Sequence, residues 1–391
     1  MHAPYYTTGR QPREQAPFEE LERLFEALDD QALLERLQET RWTGRPGYPI
    51  RVMWRTIVAS FYLGTVHDTD LIRALHANPL LATTCGIRRR EDIPSKFAYC
   101  RFRKKLVGFN ELVGKVLTES VERLREALPG LGATLAVDAT DVKAWANGLH
   151  QETDPDARTG AKKKSGGHHY WYGYKVHTVV DADAELPLWF SVTPANVYDG
   201  SMLPPVLQDA QTRYGWLHPQ YVTADKGYDS KASFQFVGET IGAIPVIDVV
   251  QRTGRKARES RPCEAEPVIT PDGIHYRCQR VPYDPACPRF GKCPLLPMFA
   301  DGPLNKAVPG RYFERHSPFP YGSCQWKTIY NKRVSVERVF SRLKTYRKLD
   351  AIRTRRLPKV WLHVALSLMV MNVAALANSA NSLASLRRCV A

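Results

Sequence analysis

From Gly132 onward the chain takes on a strand-like texture, and the order of its strands restricts the fold more than any other feature. Ala133–Asp138, Tyr172–Val180, Leu186–Val192, Tyr221–Asp225 and Ala243–Val249 are short apolar runs bounded by turn formers. The second and third are joined by Asp181-Ala-Asp-Ala-Glu185, where Asp181 and Asp183 suit a hairpin turn. Helical runs follow Asp199 and Asp229, each placed to cap one. Two long strands joined by a tight turn, then strands separated by helices, predict an α/β domain on a mixed five-stranded sheet.

Two of these strands end on an acid. Leu135-Ala-Val-Asp138-Ala-Thr reads as a strand finishing at Asp138, and Tyr221-Val-Thr-Ala-Asp225-Lys-Gly as a strand, an aspartate and a glycine turn. A third acid lies in Tyr330-Asn-Lys-Arg333-Val-Ser-Val-Glu337-Arg-Val-Phe-Ser-Arg-Leu-Lys344. Read as one continuous helix, Tyr330, Arg333, Glu337 and Lys344 fall within a stripe roughly 60° wide. Beside it Val336, Val339, Phe340 and Leu343 form an apolar stripe able to pack on a sheet. Charge pairing along a surface helix is the plainer origin of such a stripe. Two strand-end aspartates and a helix-borne glutamate are also the hard oxygen donors that two Mg²⁺ ions take. A metal pair roughly 3.5–4 Å apart can activate a nucleophile on one side of a phosphodiester and stabilise the leaving oxygen on the other.

With these motifs the sequence resembles the DDE transposases of bacterial insertion sequences, in the group marked by a Y-x2-R-x3-E-x6-K signature. Tyr330, Arg333, Glu337 and Lys344 match that signature with no departure in spacing. Asp138 in Val-Asp-Ala-Thr and Asp225 in Ala-Asp-Lys-Gly-Tyr-Asp-Ser match the family's two aspartates. Gly173-Tyr-Lys-Val-His177 and Pro194-Ala-Asn-Val-Tyr-Asp199 are similar to its second strand and the turn after its third. The resemblance runs from about residue 45 to residue 380. It implies a ribonuclease H-like catalytic core in which Asp138, Asp225 and Glu337 are catalytic and hold two Mg²⁺ ions, with Mn²⁺ as a substitute. It further implies that Tyr330, Arg333 and Lys344 contact DNA, and that a homodimer holds terminal inverted repeats and target DNA. The reaction implied is cleavage at element ends and strand transfer, without a covalent protein intermediate.

Charge agrees with a polyanionic partner. Lys and Arg number 55 against 40 Asp and Glu, a formal net charge of +15. Basic clusters recur at Arg88–Arg90, Arg101–Lys105, Lys162–Lys164, Arg252–Arg261 and Arg353–Arg356. Five clusters of one sign favour nucleic acid over a merely solvated surface, and the resemblance implies that it is double-stranded DNA.

The expected layout is a flexible amino terminus (1–17), a helical DNA-binding or dimerisation domain (18–130), a catalytic domain (131–250 with 323–380), an insertion (251–322) and a tail (381–391). Phe18, Leu21, Leu24, Phe25 and Leu28 recur at helical spacing, and Ile50–Leu63 is a second amphipathic run. Asp68 suits the cap of a short helix, and Ser95 that of a helix carrying Arg101, Arg103 and Lys104 as DNA contacts. The insertion holds 12 of the 28 prolines, which excludes long helices, and carries Cys263, Cys278, Cys287 and Cys293. Four thiolates suit structural Zn²⁺, although their spacing lacks a C-x2-C knuckle. Polar residues open the chain where a signal peptide would carry an apolar segment. Val360–Ala377 is an apolar run broken by His363, Ser367 and Asn372, short for a membrane span and read as a buried helix. Those features predict a cytosolic protein working on the nucleoid.

Competing residues receive other roles. Asp141 lies three residues after Asp138 and so points to the opposite strand face. His168-His169 reads as a loop end before a strand. No serine, tyrosine or cysteine sits in a nucleophile arrangement. A metal-dependent nuclease that cuts without joining, and a non-catalytic DNA-binding descendant, are the alternative functions.

Overall fold

Apolar residues at helical spacing decide the first part of the chain. They form α1 (Ala16–Ala27), α2 (Gln31–Glu39), α3 (Ile50–Tyr62), α4 (Asp68–Ala77), α5 (Pro79–Thr84), α6 (Lys96–Val107) and α7 (Asn110–Ala127). Leu21, Leu24, Phe25 and Leu28 are buried, as their spacing predicts. The Ser95 hydroxyl caps α6, accepting the Ala98 N–H at 3.3 Å. Asp68 does not cap α4. His67 holds that position, and the Asp68 carboxylate instead accepts Arg103 Nε of α6 at 2.8 Å. A charge-assisted bond between helices outweighs a local cap here.

The computed structural model describes residues 16–40, 47–146, 148, 151–164, 167–249, 266–270, 273–277 and 324–389. The chain divides into a larger unit, Met1–Leu217 with Val334–Ala391, and a smaller one, His218–Arg333.

In the larger unit the helices are followed by β1 (Thr134–Lys143), β2 (Arg158–Lys164), β3 (Gly167–Asp181) and β4 (Leu186–Pro194), then α8 (Leu203–Arg213). The second half of β3 pairs antiparallel with β1 and β4, and its first half with β2. The Asp181 carboxylate accepts N–H groups from Gly132, Asp183 and Ala184, which pins the expected hairpin turn. Two expectations change. Strand β1 does not end at Asp138 but runs on to Lys143, pairing Asp141 with Lys175. Strand β2 and the first residues of β3, including His168 and His169, form a ribbon where a basic cluster and a loop were expected. Their polar sequence carries no apolar alternation to announce a strand.

The smaller unit contains β5 (Tyr221–Ala224) and β6 (Ile244–Ile247), paired in parallel. Between them lies α9 (Lys231–Gln235), capped by Ser230, not Asp229, and continued by a π-helical turn. Strands β7 (Glu266–Thr270) and β8 (Gly273–Arg277) form a separate antiparallel pair in the proline-rich stretch. Helix α10 (Cys324–Tyr330) packs Trp326 and Ile329 on Val246 of β6. The four cysteines 263, 278, 287 and 293 lie outside the described residues.

Two helices close the larger unit, α11 (Val334–Arg347) and α12 (Leu357–Cys389). The latter extends into the stretch expected as a tail. By length and composition Leu357–Asn378 could cross a membrane, yet 89% of its most apolar window is buried inside the protein. It packs on α7 and β4. Each of its three polar interruptions donates to a backbone carbonyl. His363 Nε2 donates to the Arg347 carbonyl at 2.9 Å, Ser367 to the His363 carbonyl at 2.8 Å, and Asn372 to the Pro187 carbonyl at 2.9 Å.

Burial holds the His363 imidazole down at about 4, against the ordinary 6.5. Because the folded value lies below the unfolded one, unfolding takes up a proton between those limits. The contribution is full above about pH 6.5 and is lost as pH falls toward 4. The stability difference between wild type and His363→Gln, measured by denaturation, is expected to narrow over that window. A constant difference would remove the titration from the account.

Candidate active site

Glu337 occupies the first turn of α11, where an acid is favoured by the helix dipole. The helix is fixed on several sides. Val336, Val339, Phe340 and Leu343 are buried, and α11 packs on β1 and β3. Arg338 and Arg342, one turn apart, both bind the carboxylate of Glu185 in the β3–β4 turn. Glu185 itself adopts a left-handed conformation, φ 54°. At the other end the buried Arg347 guanidinium donates to the carbonyls of Phe61 and Tyr62, the orphan acceptors at the end of α3. Glu337 is exposed and Lys344 half-buried on this helix.

The signature is not one continuous helix. Tyr330 closes α10, a 3₁₀ turn spans Asn331–Arg333, and α11 begins at Val334. The break separates a helix serving the Val246 cluster from one serving β1 and β3. The expected four-residue stripe therefore survives only for Glu337 and Lys344, which lie about 20° apart on α11.

Asp138 sits half-buried within β1, opposite Thr178 of β3. At the far end of β1, a Cβ on Gly173 would lie 2.1 Å from the Val142 carbonyl oxygen, so only glycine lets β3 lie this close to β1. The two secondary motifs join through this sheet. Lys175 Nζ binds Asp199 Oδ1 and the Val197 carbonyl, both at 2.8 Å. Buried His177 meets Thr193 Oγ1 at 2.9 Å, and burial lowers its imidazole to about 4. Asp199 thus answers a buried lysine instead of capping the following helix, whose N-cap is Met202.

In the smaller unit Asp225 directly follows β5 and accepts the Gly227 N–H at 2.7 Å, as the strand–acid–glycine pattern predicts. A Cβ on Gly227 would come 2.8 Å from Asp225 Oδ1. Tyr330 stacks on Trp326, with ring centroids 4.5 Å apart, and the Arg333 guanidinium lies 5.7 Å from the Tyr330 ring centroid. Burial raises the Tyr330 phenol; Arg333 opposes this, while Asp248 and Asp225 add to it. Those four residues are therefore neighbours. Asp248 was missed in the sequence, although Ile244-Pro-Val-Ile-Asp248 repeats the strand-then-acid pattern. The register Ala224↔Ile247 sets Asp225 and Asp248 side by side at the carboxyl ends of parallel strands, where ligands bind in open α/β sheets.

Asp138, Glu337 and Lys344 belong to the larger unit, and Asp225, Tyr330 and Arg333 to the smaller. Among the described residues no three His, Cys, Asp or Glu side chains already stand together as a metal site. On α6, Arg101 and Lys104 are exposed, whereas Arg103 is engaged with Asp68 and the Val66 carbonyl.

Residues 8–105 match a Transposase domain (DUF772), which marks the helical region as part of a transposase. Residues 129–373, more than half of the 391, match the Transposase DDE domain, and the chain belongs to that family. No curated protein and no solved structure matches the chain.

Gly227→Ala is expected to push the Asp225 carboxylate aside and reduce DNA processing at least tenfold. The accompanying loss of a cap-like bond should cost only about 1 kcal/mol. Wild-type activity in a folded Gly227→Ala protein would show that the contact does not position Asp225.

Proposed function

We propose that this transposase cuts the ends of an insertion sequence and joins them to target DNA, as a member of the Y-x2-R-x3-E-x6-K group. The observation that carries the reading is the family match across residues 129–373 with Asp138, Asp225 and Glu337 all inside it. A ribonuclease H-like core is supported by strand order: antiparallel β1, β3 and β4, then a helix and the parallel pair β5 and β6.

Two aspartates and a glutamate are hard oxygen donors of the kind that suits Mg²⁺ or Mn²⁺. Asp138, Asp225 and Glu337 would hold such ions, which supply a nucleophile at neutral pH and stabilise the leaving oxygen. Glu337 presents its carboxylate from a helix that Arg342 and Arg347 keep from turning. The Gly227 N–H holds Asp225 in its capping rotamer. Lys344 neutralises backbone phosphate, and Tyr330 with Arg333 offers a planar, cationic surface beside Asp225. Arg101 and Lys104 are the DNA contacts of α6, while Arg103 positions that helix through Asp68. A homodimer on paired element ends, acting in the cytosol on the nucleoid, completes the reading.

Asp138→Asn, Asp225→Asn and Glu337→Gln keep size and remove charge. Each is expected to abolish Mg²⁺-dependent cleavage while leaving end binding within about threefold. Strand transfer from a pre-cut end separates transposition from simple nuclease action. Normal cleavage by Asp138→Asn alongside a dead Asp141→Asn would reassign the first ligand.

Cys263, Cys278, Cys287 and Cys293 are proposed to hold one structural Zn²⁺ in the insertion. Protein purified without chelators should carry about one zinc per chain, and chelation should lower its melting temperature. Elemental analysis finding none would end that proposal.

A further inference from the structure

Two basic runs far apart in sequence meet at one cleft of the larger unit. The cavity, about 640 Å³, lies between α6 and the segment leading into α12. Lys96 and Lys104 line it from α6, and Arg353, Arg355 and Lys359 from the other side, all five exposed. Asp68 is the one acid among the lining residues, and Arg103 is bonded to it. The same wall carries Trp145, just beyond the end of β1 and 52% exposed. The Arg353 guanidinium lies 5.8 Å from the Trp145 ring centroid, and Arg355 Nε donates to the Trp145 carbonyl at 2.8 Å.

The cationic wall is preorganised. Buried Asp154 accepts the Arg356 N–H at 2.9 Å and the Tyr174 hydroxyl at 2.6 Å. Asp156 accepts the Leu357 N–H at 2.9 Å. Arg356 takes a left-handed conformation, φ 76°, between these two anchors. Arg355, immediately before it, is thereby held in place by one buried and one half-buried carboxylate.

An exposed indole among cations suits a ligand with an aromatic face and a negative backbone. A base inside a duplex is covered by its neighbours and cannot offer that face. The volume lies in the range of sites for small ligands, enough for a nucleotide and short for a double helix. We propose that this cleft binds an unpaired DNA strand, one base stacking on Trp145 and the backbone following Lys96, Lys104, Arg355 and Lys359. The proposal rests on the DNA-processing reading above and adds a single-strand subsite to it.

The test uses the full chain without divalent metal, measuring anisotropy of a labelled oligo-dT and of a blunt duplex. Trp145→Ala is expected to weaken oligo-dT binding about tenfold and duplex binding less than twofold. Trp145→Phe should retain wild-type affinity because it keeps a ring. Lys104→Gln with Lys359→Gln should make the salt slope for oligo-dT shallower by about 0.7 for each lost phosphate contact. Trp145→Ala binding oligo-dT as tightly as wild type overturns the proposal, and so does equal weakening on both DNAs. Thermal melting of each variant shows whether it is folded, and the lysine pair gives a second reading if Trp145→Ala is not. Mg²⁺-dependent cleavage by wild type is read separately. Oligo-dT binding through Trp145 without any cleavage sinks the transposition reading and leaves the cleft standing. Cleavage by wild type with unaltered binding by Trp145→Ala sinks the cleft alone.

Discussion

The seating of α11 is the constraint on which the larger unit depends. An apolar face alone would hold this helix on the sheet while leaving it free to slide or rotate by part of a turn. The Glu185 carboxylate, shared by Arg338 and Arg342, fixes its rotation, and Arg347 fixes its far end against the last carbonyls of α3. One helix therefore ties the amino-terminal bundle, the β3–β4 hairpin and the signature glutamate into one rigid arrangement. Removing Glu185 leaves the largely buried Arg342 guanidinium without compensation, commonly at a cost of about 3–5 kcal/mol. Glu337 gains its position from Arg338, Arg342 and Arg347, farther along the same helix.

Much of this was legible in the residues. Strong periodicity announced α1, α3 and the buried face of α11, and the hairpin acid Asp181 stood where the turn needed it. The apolar run from Val360 was recognisable as a core helix because it was short and carried polar breaks. The carbonyls that meet His363 and Asn372 come from Arg347 and Pro187, partners that no local pattern reveals. Three features escaped. The break at Asn331–Arg333 was hidden because helical periodicity assumes one helix serving one core, and here two cores compete for adjacent segments. The β2 ribbon was hidden because polar strands lack alternation. Asp248 was overlooked because the resemblance already supplied its carboxylates, although its strand carries the same signal as that of Asp225.

Polar residues in this fold act mostly as fasteners. Lys175 with Asp199, His177 with Thr193, and Asp154 with Tyr174 are buried pairs, and each joins segments well separated along the chain. Buried polar groups are costly when unmet and directional when met. They therefore specify which strand lies against which loop more sharply than apolar contact does. The motifs flanking the first aspartate owe their residue types to this fastening as much as to chemistry.

Helix α12 has a further consequence. Everything it covers, α1, α3, α6, α7 and the face of β4, precedes it in the chain. A ribosome must therefore make the whole smaller unit before supplying the element that closes the larger core. Until then a strand face and a helix face stand bare, the kind of surface through which partly made chains associate wrongly. The larger unit is thus a structure that α12 completes, and its folding waits on the synthesis of that helix rather than spreading along the chain before it.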